Sequence, residues 1–161
     1  MVRTEISLFL NNVPGELGKL TRTLFQAGIN IDALTIQDAS QYVQELFRAR
    51  GKSLKRIAPA ASYGSMRKDS AEYALIRLLV DHTDKAIDLL GKGQYIFDVM
   101  PVIALVIDNK PGTLAAMAEK FGKEGINISY VYGSAIPGED KSLFIFSPEN
   151  IEEAAALFPD A

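Results

Sequence analysis

The chain of 161 residues has no cysteine, no tryptophan and a single histidine, His82. Without cysteine there is no disulfide, no thiolate nucleophile and no Cys-based zinc site. One histidine cannot supply a two-His metal site, nor a Ser-His triad repeated in two halves of a chain. No run approaches the roughly 18 to 20 apolar residues that a membrane span needs. Met1-Val2-Arg3-Thr4-Glu5 leads straight into an alternating pattern without the plan of a signal peptide, so a soluble, cytoplasmic protein is expected. A basic excess is also lacking. Lysine and arginine number 17 against 20 acidic residues, a formal net charge of −3, which argues against a molecule that binds nucleic acid over its whole surface. What the chain does have is apolar character: 48% of its residues are hydrophobic, enough to bury a core in one ordinary domain or two small ones.

The sequence repeats itself. Asn12-Val13-Pro14-Gly15-Glu16-Leu17 returns 97 positions later as Asn109-Lys110-Pro111-Gly112-Thr113-Leu114. At the same offset Gly28-Ile29-Asn30-Ile31 returns as Gly125-Ile126-Asn127-Ile128. Apolar positions follow: Leu8 with Leu105, Leu20 with Met117, Leu24 with Phe121. The chain is an internal duplication.

Each copy opens with an apolar strand, Glu5 to Leu10 and Val102 to Ile107. A turn and a helix follow, with Leu17, Leu20, Leu24 and Phe25 at helical spacing in the first copy, and Leu114, Met117, Ala118 and Phe121 in the second. Gly28 and Gly125 stand where a helix end favours positive φ. Second strands are expected over Asn30 to Gln37 and Asn127 to Ala135. Glu72 to Val80 reads as a third strand, Thr83 as the cap of a helix to about Leu90, and Gln94 to Met100 as a fourth strand. This β-α-β-β-α-β order predicts a ferredoxin-like α+β plan, an antiparallel sheet with both helices on one face. In the second copy Lys141 to Phe146 is the third strand, Ser147 the expected cap, and Pro148 the first residue of a helix to about Leu157. The second copy lacks its last strand. Domains are therefore expected at 1–100, carrying a basic insertion at 41–71, and at a truncated 101–161. The open sheet edge should be completed by the other half or by a second subunit.

Strand, Asn-x-Pro-Gly-x-Leu, helix, Gly-Ile-Asn-Ile, strand: this pattern, present twice over roughly residues 3 to 38 and 72 to 158, resembles the ACT domain, and the duplication is similar to small stand-alone tandem ACT proteins. The resemblance implies two ACT-type domains that pair through sheets or helices. It also implies binding of an amino acid at a domain or subunit interface near the Asn-x-Pro-Gly turns, a regulatory role in amino-acid metabolism, a homodimer, and no cofactor.

The chemistry of the turns agrees with that placement. A strand-to-helix corner leaves the first backbone N–H groups of the helix unpartnered, and with the helix dipole they form a seat for a carboxylate. Gly15 and Gly112 let a ligand approach the main chain without meeting a Cβ. Asn12 and Asn109 carry amides that both donate and accept, suited to a zwitterion. Asp108 is positioned to face an α-ammonium; its counterpart is Asn11, so the copies differ. Asn30 and Asn127 lead the second strand nearby, with Ile31 and Ile128 as walls of a side-chain pocket. The candidate ligand-binding set is thus Asn11, Asn12, Pro14, Gly15, Leu17, Asn30 and Ile31 in the first copy, and Asp108, Asn109, Pro111, Gly112, Leu114, Asn127 and Ile128 in the second. Asn-x-Pro-Gly is equally an ordinary turn and cap signature, and the asparagine of Gly-Ile-Asn-Ile can simply satisfy backbone at a helix end.

Residues 41 to 71 interrupt the first copy where the second has only Ile136-Pro137-Gly138-Glu139-Asp140. Seven basic residues, Arg48, Arg50, Lys52, Lys55, Arg56, Arg67 and Lys68, stand there against Glu45 and Asp69. A solvated excursion, a docking arm for an acidic partner, and a nucleic-acid contact are the competing readings, and this segment is the one hint of nucleic acid in the chain. The first copy, through Ile6 to Leu10, Asn12 and Leu34-Thr35-Ile36, also resembles the small regulatory subunit of acetolactate synthase. That likeness gives the alternative function, regulation of an amino-acid biosynthetic enzyme by protein contact. Its C-terminal half is not a second ACT copy, as it is here. An enzyme is not expected. The ferredoxin-like plan hosts acylphosphatase-type catalysts, but no glycine-rich cradle with an arginine is present, and Glu152-Glu153 are neighbours that point to different sides. His82 is expected as a solvent-facing turn residue. The strand Glu72 to Arg77 lacks the aromatic signature of an RNA-recognition module. Tyr130 and Tyr132 in the second copy, against Ala33 and Thr35 in the first, suggest unequal pockets.

Overall fold

A computed structural model describes residues 1–39 and 73–159 of the chain. The basic insertion at 41–71 lies outside the described residues. The elements are β1 (Val2–Asn11), α1 (Glu16–Gln26), β2 (Ile31–Asp38), β3 (Tyr73–Val80), α2 (Thr83–Lys92), β4 (Phe97–Asp108), α3 (Thr113–Lys123), β5 (Ile128–Ala135), β6 (Lys141–Pro148) and α4 (Ile151–Ala156). With β4 counted in both copies, the first has the expected β-α-β-β-α-β order and the second the expected β-α-β-β-α.

The strands form a single six-stranded antiparallel sheet in the order β2-β3-β1-β4-β6-β5. The expected fourth strand of copy one and the opening strand of copy two are one continuous strand, β4. Its first half pairs with β1, from Phe97 opposite Leu8 to Ile103 opposite Val2. Its second half pairs with β6, from Ile103 opposite Phe146 to Asp108 opposite Lys141. The edge of the second sheet is thus met by the other half of the same chain, where Met1 exchanges backbone hydrogen bonds with Ala104 at 2.9 and 3.0 Å.

Alternate residues of the strands face opposite sides, and each side has its own core. Toward α1 and α2 point Ile6, Leu8, Leu10, Ile76, Leu78 and Val80, packed with Leu20, Leu24 and Leu90. The second copy repeats this with Ile103, Leu105, Phe121, Phe146 and Ala154. On the other face Leu79, Val102, Ala104 and Ile145 form a third buried cluster that takes residues from both copies. The two outermost strands of the sheet, β2 and β5, touch each other. The sheet therefore curls until its ends meet, and this third cluster is the seam inside the curl.

A buried carboxylate sits in that seam. Glu5 of β1 has no exposed surface. Its two oxygens accept from the Tyr130 hydroxyl at 2.5 Å and the Tyr132 hydroxyl at 2.7 Å, both on β5. Ser7 donates at 3.3 Å, and the Arg77 guanidinium lies 3.8 Å away while covering the Tyr130 ring at 4.1 Å. A buried charge persists only when it is paired and hydrogen-bonded, and here copy two supplies both phenols to a carboxylate of copy one.

Two helix starts differ from expectation. His82, not Thr83, is the N-cap of α2, and Thr83 is already helical. β6 continues through Ser147 and Pro148, and Asn150 caps α4 by accepting from the Glu153 N–H at 3.2 Å. Ser147 is buried in the strand, so its hydroxyl is turned away from a capping position. His82 is exposed, as expected of a turn residue. Among the described residues no helix is long and apolar enough to cross a membrane.

Candidate ligand-binding corners

Both Asn-x-Pro-Gly corners adopt the same conformation. Gly15 has φ +96° and Gly112 φ +91°, the left-handed region that glycine enters without strain. Among the described residues nothing lies within 4 Å of where a Cβ would stand at either glycine. Each corner closes the same way. The Glu16 N–H donates to the Val13 carbonyl at 3.4 Å, and Thr113 to Lys110 at 3.3 Å. One turn on, Lys19 donates to Gly15 and Ala116 to Gly112, each at 2.9 Å. Among the described residues no side chain caps either helix. The N–H groups of Leu17 and Gly18, and of Leu114 and Ala115, consequently have no partner among the described residues.

The surroundings of the two corners are unequal. Asn11, Asn12, Pro14, Gly15 and Leu17 are all exposed. Glu16 occupies the first turn of α1 and pairs with Lys19. In the second copy Pro111, Gly112 and Leu114 are exposed, while Asn109 is partly covered. The Asn109 amide donates to the carbonyls of Ile136 at 3.1 Å and Glu139 at 3.0 Å, and its backbone N–H donates to Asp140 at 2.8 Å. It braces the hairpin between β5 and β6. Asp108 does not stand free for an ammonium group. Lys141 at 2.6 Å and Lys110 at 3.0 Å hold its oxygens, and those hydrogen bonds, Lys141 first, keep its carboxyl down at about 2.

Asn30 and Asn127, expected near the corners, stand away from the corner of their own copy. β1 and β4 are antiparallel, so the corners at their C-terminal ends lie at opposite ends of the sheet. Asn30 and Asn127 follow helices of 11 residues, about 16 Å along the axis from the corner of their own copy. Their role is matched in both copies. Asp81 N–H donates to the Asn30 carbonyl at 3.2 Å, and Glu149 N–H to the Asn127 carbonyl at 3.0 Å, tying the start of one strand to the end of the next. The Asn30 N–H also donates to Asp81 at 2.9 Å, and the Asn127 amide to Glu149 at 2.8 Å. Ile31 and Ile128 pack against the two helix-side cores.

Sequence reasoning passed over Glu5, Lys110, Lys141 and Ser142. Glu5 had a visible signal, an acidic residue in an apolar strand. Lys141 becomes a neighbour of Asp108 only through strand register, which the sequence does not print. Among the described residues no cluster of His, Asp and Glu could hold a metal ion.

A family model described as an ACT domain pair matches residues 52–158. Among solved structures, a protein of Bacteroides thetaiotaomicron superposes with a TM-score of 0.72 at 23% identity, over 99% of this chain and 88% of that one. The regulatory subunit of aspartate kinase from Thermus thermophilus, in a ligand-free form, gives a TM-score of 0.56 at 15% identity, over 99% of this chain and 91% of that one. Its counterpart from Thermus flavus gives 0.55 at 16% identity, over 99% and 92%. At these identities the likeness is one of fold. No curated protein matches the chain. Two equivalent proline-glycine corners, two ACT-like halves in one curled sheet and the family match over both thirds that follow residue 52 lead to one statement: the chain belongs to the ACT domain pair family.

Proposed function

We propose that the chain is a regulatory binding protein without catalysis of its own, and that it binds a small amino acid at one or both of its proline-glycine corners. The observation that carries this reading is the pair of uncapped helix N-termini behind left-handed glycines, open to approach in both copies. Such termini favour an anion by roughly 0.3–1 kcal/mol when exposed, and by more when covered. Chains of the same fold are regulatory subunits of aspartate kinase, and regulation is carried from them to this chain. Because the corners lie on the outside and at opposite ends, a ligand at either one is covered by a second copy of the chain. A homodimer in the cytoplasm is the assembly this implies. Ligand would shift the dimer by its different affinity for two arrangements.

Isothermal titration and thermal shift with each of the twenty standard amino acids test the reading. At least one should bind and raise the melting temperature as its concentration rises. Silence from all twenty would end it.

A second reading is regulation of an amino-acid biosynthetic enzyme by contact. It is favoured by the large apolar side chains left exposed on the helices, above all Phe25 of α1 at 77%. Copurification of a large enzyme from native extract supports this reading, and a clean dimer that retains no partner counts against it.

A further inference from the structure

Ser142 on β6 is 3% exposed, yet its Oγ has no hydrogen-bond partner among the described residues. Buried hydroxyls are normally satisfied, because removal from water without a partner is unfavourable. The other buried polar side chains are engaged: Glu5 by two tyrosines, Ser147 by Tyr130. Among the described residues Ser142 stands alone in this respect.

Its location is the second corner. Ser142 pairs with Ile107 of β4 on one side and Ala135 of β5 on the other, one register step from Asp108 and Lys141. It shares a face with Phe144 and Phe146, the face that α3 covers. The hydroxyl therefore belongs to the helix-side face of the sheet, at the end of β4 that leads into the second corner. At the same register position the first copy has Ala74, opposite Leu10. The corners differ in charge as well. α1 carries Glu16, paired with Lys19, in its first turn, whereas the first turn of α3 has no acid and the two lysines beside it, Lys110 and Lys141, share the single carboxylate of Asp108.

We infer that the second corner, and not the first, holds the amino acid, and that Ser142 Oγ donates to its α-carboxylate together with the N–H groups of Leu114 and Ala115. This rests on the amino-acid-binding reading above. A hydroxyl donor added to two main-chain N–H groups selects a carboxylate, and Ala74 removes that hydroxyl from the first corner. The first copy keeps the shape of the site and loses its side-chain contact.

The test titrates the twenty standard amino acids into the full-length protein and into Ser142→Ala, and melts both proteins without ligand. The variant should bind roughly ten- to a hundredfold more weakly, since a hydrogen bond to a charged group is lost. Its ligand-free melting temperature should be unchanged or higher, because an unsatisfied hydroxyl has been removed. Undiminished affinity in Ser142→Ala overturns the inference and leaves the amino-acid reading standing. A ligand-free melting temperature lowered by several degrees assigns Ser142 to the fold and overturns it too. If no amino acid binds the unaltered protein, both fail.

Discussion

Replacing Glu5 by alanine should remove roughly 3–5 kcal/mol of stability, measured by denaturant unfolding, which is far beyond the loss from an ordinary strand-surface substitution. The carboxylate is wholly buried and holds the Tyr130 and Tyr132 hydroxyls together. Its removal strands two phenols and leaves the Arg77 guanidinium without its anionic neighbour in the seam. A buried donor left without its acceptor loses the full desolvation free energy of that group. The same contacts make a pH signature. Burial first, then the hydrogen bond to Glu5, push both phenols above their ordinary value of 10. A group whose folded pKa is raised contributes stability that is complete below its unfolded value, so this contribution is intact below about pH 10. It is lost as the pH climbs from there through the raised value. Alkaline unfolding that begins well below pH 10, or a loss under about 1 kcal/mol in Glu5→Ala, would mean that the seam does not join the copies as described.

Phe146→Ala should cost about 3–5 kcal/mol, the range for a fully buried aromatic. Phe146 is 1% exposed, with its ring centroid 5.3 Å from Phe121 and 6.4 Å from Phe144. The form of the transition matters more than its midpoint. β4 lies in both cores, contributing Ile103 and Leu105 to one and Phe97 to the other. A lesion in the second core should therefore lower one shared calorimetric transition. Two transitions, one of them at the midpoint of the unaltered protein, would show that the copies unfold independently and that 1–100 and 101–161 are separate folding units.

The duplicated fold was legible because its signals are local. The Pro-Gly corners, the apolar positions of α1 and α3, and Gly28 and Gly125 with φ of +65° and +68° are each written within a few consecutive residues. Boundaries that depend on partners were not legible. Gln94 to Met100 and Val102 to Ile107 read as separate strands, but β4 pairs with β1 through Pro101 as far as Ile103, where β6 takes over, so they are one. Ser147 and Pro148 read as a helix start, yet Pro148 pairs with Ile128 at the end of β6, and the cap falls to Asn150. The candidate site was read in part. Gly15 and Gly112 adopt the left-handed conformation that a proline-glycine corner between strand and helix implies. The distance of Asn30 and Asn127 from the corner of their own copy follows from helix length. The engagement of Asp108 with Lys141 follows from cross-strand register, a pairing more than 30 residues apart.

Amide chemical-shift mapping by NMR of the full-length protein, with each amino acid that binds in calorimetry, tests the placement most directly. The largest perturbations should fall on Leu114 and Ala115, next to Gly112, with smaller ones across the hairpin that Asn109 braces. Shifts that instead gather on the far ends of the helices, around Gly28 and Gly125, with Leu114 and Ala115 unmoved at saturation, would contradict the corner as the seat of the ligand.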